Sequence, residues 1–271
     1  MPETMPGNDP EVAATPRFAV EMASTRAAVA EAQRLRYHVF AEELGATVHT
    51  EQPGHECDTY DAFCRHLLVR DTQSAEVVAC SRILDGETAA TAGGFYSESE
   101  FHMHAIRRLP GRLMELGRTC VAPGYRGGAT IAALWSGLAR HIVEEAYDYL
   151  IGCASIPATD GGAEAAAIMQ RLRRRHMTPD GLRVQPRTPL PANVRHLTGS
   201  VRMPALLRTY LALGAQVCGE PCWDPEFRVA DVFILVDTRS LSARYVRHFL
   251  RVDATAIPRG ANAEPALHTR S

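Results

Sequence analysis

The sequence has no strong charge of one sign and no long apolar run. Lysine and arginine total 29 against 31 aspartate and glutamate residues, which gives a formal net charge of −2. A nucleic-acid binder needs a basic surface, so this balance argues against nucleic acid as a partner. No stretch reaches the roughly 18 apolar residues of a membrane span, so no spanning helix is expected.

Export features are also missing. The first residues, MPETMPGNDPEVAATP, lack the basic start and the apolar core of a secretion signal. The seven cysteines are odd in number and irregular in spacing, which is not the pattern of a disulfide framework. We therefore expect reduced thiols and a cytoplasmic protein.

What is present is an ordinary globular composition. The chain has 271 residues, of which 46% are hydrophobic and 22% are charged. Polar, proline-containing ends predict disorder over residues 1–16 and 254–271, on either side of a single domain at 17–253.

The apolar patterning predicts the element order β-α-β-β-α-β-α-β-α-α-β-α. Thr25 is a predicted cap for the first helix, and Gly45 is its predicted stop. The runs RHLLVRD and EVVACSRIL form a predicted hairpin, and RYVRHFL near 244–250 is a predicted last helix. This order predicts an α/β fold with a mixed sheet and helices on both faces.

The most informative stretch is ELGRTCVAPGYRGG, from Glu115 to Gly128. It places Glu115 and Arg118 three positions apart in a predicted strand, where such positions point to opposite faces. Gly117 lies between them, and a strand glycine often marks a bulge. We therefore predict a bulge near Gly117, which brings both side chains to one face and parts the strand from its neighbour. An ion pair on a solvated sheet face is the alternative.

The same stretch ends in a basic, glycine-rich turn before a predicted helix. Free N–H groups at a helix start attract anions. Gly127 and Gly128 permit close approach to the backbone, and Arg126 adds a positive charge. The turn is therefore a candidate phosphate site, with an ordinary connection and a solvated arginine as the alternative.

Further polar residues could join this site. They are Arg36 and Phe40 on one helix face, Asp58 and Asp61 in the loop before the hairpin, and Arg82 at the end of its second strand. Alone, each is an ordinary surface residue, but buried together they would form a network whose desolvation needs a function. The two aspartates could hold a cationic amino acid, or they could pair with the arginines.

These motifs resemble a known family. PGYRGG between a strand and a helix is similar to the pantetheine-phosphate turn of the GCN5-related N-acetyltransferase superfamily, which implies a mainly antiparallel central sheet. LRYHVFAEELGA, DTYDAFCRHLLVRD, GGFYSESEF and YLALGAQVCGEPCWDPEFRVADVFILVD resemble the ornithine acyl-carrier-protein N-acyltransferases. That resemblance runs from about residue 18 to 251. It implies transfer of a (3-hydroxy)fatty acyl group to the α-amine of ornithine, giving lyso-ornithine lipid. An amphiphilic product implies peripheral contact with the inner face of the membrane.

The resemblance extends to the related acyl-homoserine-lactone synthases and implies residue roles. Glu115 would be the general base, with Arg118 as its catalytic partner, and Glu115→Gln should then lower turnover with little unfolding. The implied substrate-binding residues are Arg36, Phe40, Asp58, Asp61 and Arg82, and the implied phosphopantetheine-binding residues are Arg126, Gly127, Gly128 and Ala129.

One departure from the superfamily pattern bears on the acyl donor. Members that use coenzyme A usually carry Arg/Gln-x-x-Gly-x-Gly/Ala, and here Ala129 and Ile131 fill the two later small positions. The branched Ile131 would crowd a pyrophosphate, which favours acyl-phosphopantetheine on acyl-carrier protein over acyl-CoA. No bound cofactor and no metal are expected. The arginine groups that could dock an acidic carrier protein are Arg107, Arg108 and Arg112, and Arg171, Arg173, Arg174 and Arg175.

Four other interpretations stay open. The chain could be an N-acyl amino acid or acyl-homoserine-lactone-type synthase with another acceptor, or a non-catalytic module that binds carrier protein. Cys120 or Cys153 could be a nucleophile, although both lie in apolar strands where a thiol acts as a small hydrophobe. A zinc site, with an unusual spacing, could form from His55, Cys57, Cys64 and His66.

Overall fold

The structure is a computed structural model of the chain, and it describes residues 16–50, 52–191, 194 and 201–240. The last predicted helix and, apart from residue 16, the predicted disordered ends lie outside these residues. The predicted domain boundaries therefore stay a prediction.

The described residues form one eight-stranded sheet and one two-stranded sheet. The large sheet contains β1 (Phe18–Met22), β2 (Arg65–Asp71), β3 (Val77–Asp85), β5 (Leu113–Val121), β6 (Tyr149–Pro157), β8 (Gln216–Val217), β9 (Cys222–Asp224) and β10 (Val229–Asp237), and the small one contains β4 (Phe101–His102) and β7 (Gln185–Pro186). The spatial order is β1-β2-β3-β5-β6-β10-β8, and β9 also pairs with β10. Of these neighbours, β5 and β6 run parallel and the others antiparallel. The predicted mixed, mainly antiparallel sheet is confirmed.

Helices cover both faces of the large sheet, as predicted. They are α1 (Arg26–Tyr37), α2 (Gly86–Thr91), α3 (Gly128–Glu144), α4 (Ala163–Leu172) and α5 (Ala205–Ala212). On β2, Leu68 packs in the cluster that contains α1, whereas Leu67 and Val69 pack in the cluster that contains α3. Because alternate strand residues point to opposite faces, these two helices lie on opposite sides of the sheet. None of the described helices is long and apolar enough to cross a membrane.

The first helix forms for the reasons that its sequence indicates. The Thr25 hydroxyl accepts a hydrogen bond from the Ala28 N–H at 3.1 Å, which satisfies one free donor of the first turn. Ala32 and Leu35 face the core, and a π-helical segment, His38–Glu43, continues the helix. Gly45 follows at φ +70°, the left-handed conformation that ends helices and favours glycine.

The predicted bulge is present next to Gly117. The register between β3 and β5 pairs Cys80 with Cys120 but Arg82 with Gly117, so two residues of β5 oppose one of β3. The extra residue is Arg118 or its neighbour Thr119, and Arg118 has φ +51°. A positive φ at a residue other than glycine costs about 1–3 kcal/mol, so the surrounding contacts must hold it in place.

Beyond the bulge, β5 separates from β6. The parallel pairing joins Leu113–Leu116 of β5 to Tyr149–Gly152 of β6 and ends there, although both strands continue for several residues. Throughout this region β6 stays paired with β10. Gly152 permits the closest approach, since a Cβ there would lie 2.3 Å from the Leu116 carbonyl oxygen. A V-shaped opening therefore forms between β5 and β6, and it positions the site described next.

Candidate active site

A cavity of about 90 Å³ lies in the opening between β5 and β6. Its floor includes Glu115 and Arg118 of β5 and Cys153 of β6. Phe40 and Phe227 contribute aromatic walls, with their ring centroids 5.7 Å apart. The sequence motif on β5 and the residue from the first helix segment thus meet in one cavity.

Glu115 is buried and tied to the short helical turn at Tyr96–Ser99. Its carboxylate accepts hydrogen bonds from the N–H of Tyr96 at 2.7 Å, the N–H of Ser97 at 2.9 Å and the Ser97 hydroxyl at 2.5 Å. Burial raises the pKa of Glu115, and the hydrogen bonds from Ser97 and Tyr96 lower it by less. A carboxylate with a raised pKa inside a cavity is suited to accept a proton.

Behind the cavity lies a network of three arginines and three carboxylates. Its members are Arg36, Arg82 and Arg118 with Glu56, Asp58 and Asp61. Arg36 is 1% exposed and pairs with Glu56 at 2.5 Å and with Asp61 at 2.7 Å. The formal charges of the six groups cancel, which meets the condition for burying ions in a protein interior. We call these six residues the paired network.

Both predicted aspartates belong to the paired network, so the structure shows the pairing that the sequence left open as an alternative. Asp58 accepts from Arg82 at 2.5 Å, and Asp61 accepts from Arg82 at 3.0 Å. Burial alone would raise the pKa of Asp61, but the hydrogen bond and charge of Arg36 outweigh it and hold this pKa well below its usual range. A role of these aspartates in substrate binding stays a prediction.

Arg118 links the paired network to the cavity. Its guanidinium donates to Glu56 at 2.8 Å and to Asp58 at 3.3 Å. Its central carbon lies 4.6 Å from the Tyr96 ring centroid and 4.9 Å from that of Phe227, which is cation–π geometry on both rings. These contacts account for the positive φ of the residue. Glu56, which sequence reasoning did not place in the site, bridges Arg36 and Arg118.

The turn at residues 126–129 lies past the end of β5 and is not part of the cavity lining. Helix α3 begins there with Gly127 as its N-cap, and no described atom beyond the adjacent backbone lies within 4 Å of the Cβ positions of Gly127 and Gly128. An anion could therefore reach these N–H groups. Arg126 donates to both carboxylate oxygens of Glu43, at 2.6 and 2.5 Å, so a phosphate would compete with Glu43 for it.

Three further carboxylates line the cavity and were not anticipated from the sequence. Glu100, Asp224 and Asp231 bring one oxygen each to within 4.8 Å of one another. Burial, with the charge of Asp231, raises the pKa of Glu100 to about 9, and burial raises that of Asp231 to about 6. We call these three residues the acidic cluster. The one available signal was Asp231, a carboxylate inside the apolar strand VADVFILVD.

The residues of the predicted zinc alternative do not meet. His55 is within hydrogen-bonding distance of the Pro53 carbonyl, and His66 of the Asp61 carbonyl. In the part of the chain that the structure describes, they form no group with metal-ligand spacing. The thiol of Cys153 does line the cavity, but burial raises its pKa well above its ordinary value, which disfavours the nucleophilic thiolate.

The opened sheet, the buried carboxylate and the helix N-terminus describe an acyltransferase of the GNAT fold. Consistent with this, residues 35–136 match the family model of the acetyltransferase (GNAT) domain. The structure of FeeM, an N-acyl amino acid synthase from uncultured soil microbes, matches with a TM-score of 0.51 at 13% identity, over 84% of this chain and 95% of that one. The acyl-homoserine-lactone synthase LasI matches with a TM-score of 0.48 at 14% identity, over 92% and 98%.

The sequence is closer to a particular group of these enzymes. It is 33% identical over 250 residues to the L-ornithine N(alpha)-acyltransferase of Rhodobacter capsulatus, which covers 86% of this chain and 95% of that protein. The Rhizobium meliloti protein of the same name is 34% identical over 84% of this chain and 82% of its own length. The chain belongs to the L-ornithine N(alpha)-acyltransferase family, which confirms the resemblance seen in its motifs.

Proposed function

We propose that the protein transfers a fatty acyl group from the phosphopantetheine thioester of an acyl-carrier protein to the α-amine of ornithine, giving lyso-ornithine lipid. The names of its relatives support the acceptor and the amide bond. The observation that carries the proposal is Glu115, a buried carboxylate with a raised pKa that lines the cavity where β5 leaves β6.

The open edge of β5 is where the thioester would bind. After Leu116 the strand has no partner on the β6 side, and Gly117, Arg118 and Thr119 line the cavity. A pantetheine arm along this edge could form hydrogen bonds with the backbone N–H and C=O groups of β5 that do not pair with β6. A backbone N–H of the bulged segment would then stabilise the thioester oxygen as negative charge develops on it.

Glu115 would remove the proton that prevents the amine from attacking. An α-ammonium has a reference pKa of about 7.7–8, so a carboxylate with a raised pKa is a better acceptor for its proton than an ordinary one. The free amine then attacks the carbonyl carbon, the C–N bond forms and the C–S bond breaks. The nitrogen loses a second proton as the amide forms, so that one of its two protons passes, through Glu115 or a water, to the departing thiolate and the other passes to solvent.

The donor would be placed by its phosphate at Arg126, Gly127, Gly128 and Ala129, with the carrier protein outside. Fixing the phosphate there would set the reach of the pantetheine arm into the cavity. Of the two arginine groups that could dock the carrier protein, Arg107 is paired with Glu98 and Arg173 with Glu220. These pairs reduce the net positive charge of both surfaces, as the pair with Glu43 does for Arg126 at the phosphate site.

The test is a transfer assay with purified protein. A 3-hydroxyacyl-carrier protein is supplied with ornithine, other amino acids and homoserine-type acceptors, and products are read by mass spectrometry. The proposal expects N-acyl-ornithine as the main product and slower transfer when acyl-CoA replaces the carrier protein. A main product on a neutral amino acid or a homoserine-type acceptor would contradict the acceptor, and no product with any acceptor would indicate a non-catalytic module.

A further inference from the structure

The cavity wall carries more carboxyl groups than cationic groups. Glu100, Asp224, Asp231 and Glu115 all line it, and Arg118 is the cationic residue in the same lining. Arg118 is already bonded to Glu56 and Asp58 of the paired network. Among the described residues of the lining, the carboxyl groups of the acidic cluster therefore share one cation, Arg118, whose hydrogen bonds to Glu56 and Asp58 tie it to the paired network.

Hydrogen bonding in the acidic cluster is also incomplete. Asp231 is 5% exposed and accepts a hydrogen bond from the Ser155 hydroxyl at 2.6 Å. Asp224 uses one oxygen for the N–H groups of Glu226 and Phe227. Oε2 of Glu100 is buried and finds no hydrogen-bond partner among the described residues. A buried carboxyl oxygen without a hydrogen-bond partner costs on the order of 1–3 kcal/mol, so its retention points to a ligand that supplies the partner.

The contacts that link Glu115 and Asp231 to β6 lie two residues apart along that strand. Ser97 contacts both the Glu115 carboxylate and the Cys153 sulfur, at 2.5 and 3.3 Å. Two residues along β6, on the same face, Ser155 binds Asp231. Residues i and i+2 of a strand are about 6.5–7 Å apart. The three-carbon side chain of ornithine separates its two amines by a similar distance.

We propose that Glu100, Asp224 and Asp231 bind the side-chain ammonium of the acceptor, and so select a dibasic amino acid while its α-amine reaches Glu115. This inference rests on the proposed function. The apolar walls at Phe40 and Phe227 suit the methylene chain between the two amines.

The test compares ornithine with norvaline, which has the same carbon skeleton and no side-chain ammonium. The variants are Glu100→Gln and Asp231→Asn, and the matched control is Asp180→Asn, whose carboxylate is fully exposed outside the cavity. Wild type should prefer ornithine. Each cluster variant should reduce the ornithine-to-norvaline ratio of kcat/KM about tenfold or more, mainly through the KM for ornithine, because one charged hydrogen bond is lost. The control should keep the ratio.

The outcomes separate the two proposals. If wild type acylates ornithine and both cluster variants keep its preference over norvaline, the inference is wrong and the proposed function stands. If wild type acylates neither amino acid, both fall. If EDTA abolishes transfer to ornithine and Mg²⁺ or Ca²⁺ restores it, the acidic cluster holds a metal ion and the inference is overturned. Melting temperatures of the variants exclude unfolding as the cause, and Glu100→Gln serves if the more buried Asp231→Asn does not fold.

Discussion

The paired network lies behind the cavity and the acidic cluster lines it, and the two differ in charge balance. In the paired network, three guanidinium groups form ion pairs with three carboxylates, and Arg36 is almost fully buried. In the acidic cluster, three carboxylates lie together and Oε2 of Glu100 has no donor among the described residues. The first arrangement balances its formal charges within the protein, whereas we propose that the second is balanced by the side-chain ammonium of the substrate.

The largest expected effect is on the rate of acyl transfer, when the cavity carboxylate Glu115 is replaced. Glu115→Gln should lower the rate of acyl transfer by about 10²–10⁴, because the amide cannot take the proton of the amine. Since an amide nitrogen cannot accept from Tyr96 or Ser97, it should also reduce the unfolding free energy by about 1–3 kcal/mol, more than the sequence alone suggested. Single-turnover transfer and urea unfolding measure the two effects.

The control for this variant is Glu76→Gln, which neutralises an exposed carboxylate away from the cavity. It should keep both the transfer rate and the unfolding free energy. A wild-type transfer rate in Glu115→Gln would remove Glu115 as the base, whatever its effect on stability.

Breaking the paired network should be the most damaging to the fold. Arg36→Met leaves Glu56 and Asp61 buried with one partner fewer, and such a loss costs about 3–5 kcal/mol. Urea unfolding measures it. The matched control, Arg173→Met, removes an exposed pair with Glu220 and should cost no more than about 1 kcal/mol. Equal losses of unfolding free energy in the two variants would show that the buried pairs of Arg36 stabilise the fold no more than an exposed pair does.

Neutralising one member of the acidic cluster should increase the stability of the fold, whereas breaking the paired network should reduce it. Glu100→Gln should raise the unfolding free energy at pH 8 by about 1–3 kcal/mol, because at this pH the folded wild type keeps protonated a carboxyl group that the unfolded chain ionises. The folded wild type binds more protons than the unfolded chain between about pH 4.5 and 9, so its stability falls as pH rises through this range. The variant should show a weaker fall. A variant that is less stable at pH 8 would contradict the charge imbalance.

The smallest effect concerns an exposed pair outside both regions. Arg126→Met removes a bidentate contact with Glu43, but Arg126 is 45% exposed, so stability should change by less than about 1 kcal/mol. The KM for acyl-carrier protein should nevertheless rise severalfold, because the phosphate loses its cation. Arg65→Met, which removes an exposed pair with Glu145, is the control. An unchanged KM in Arg126→Met would remove this residue from the phosphate site.

Local chemistry explains how much could be predicted. The bulge near Gly117 and the first helix follow from residues adjacent in the chain, and both are present as expected. The strands β4, β7, β8 and β9 contain only two or three residues each, too few for an alternating pattern to show. They were missed for that reason.

The acidic cluster could not be predicted because its members are far apart in sequence. Glu100 and Asp231 meet only since β10 pairs with β6, which places Asp231 opposite Ser155. No local sequence pattern predicts that β10 pairs with β6. The paired network was partly visible through Arg36, Asp61 and Arg82, whereas Glu56 lies in a polar loop where its burial gave no signal.

The most direct test of the difference between the two regions is the number of protons released when ornithine binds. Titration calorimetry at pH 7.5, repeated in buffers of different ionisation enthalpy, gives this number for wild type and for Glu100→Gln. Because the raised pKa keeps Glu100 protonated in the free protein, ammonium binding should release close to one proton more from wild type than from the variant. Equal proton release in the two proteins, with ornithine bound equally tightly, would contradict the account.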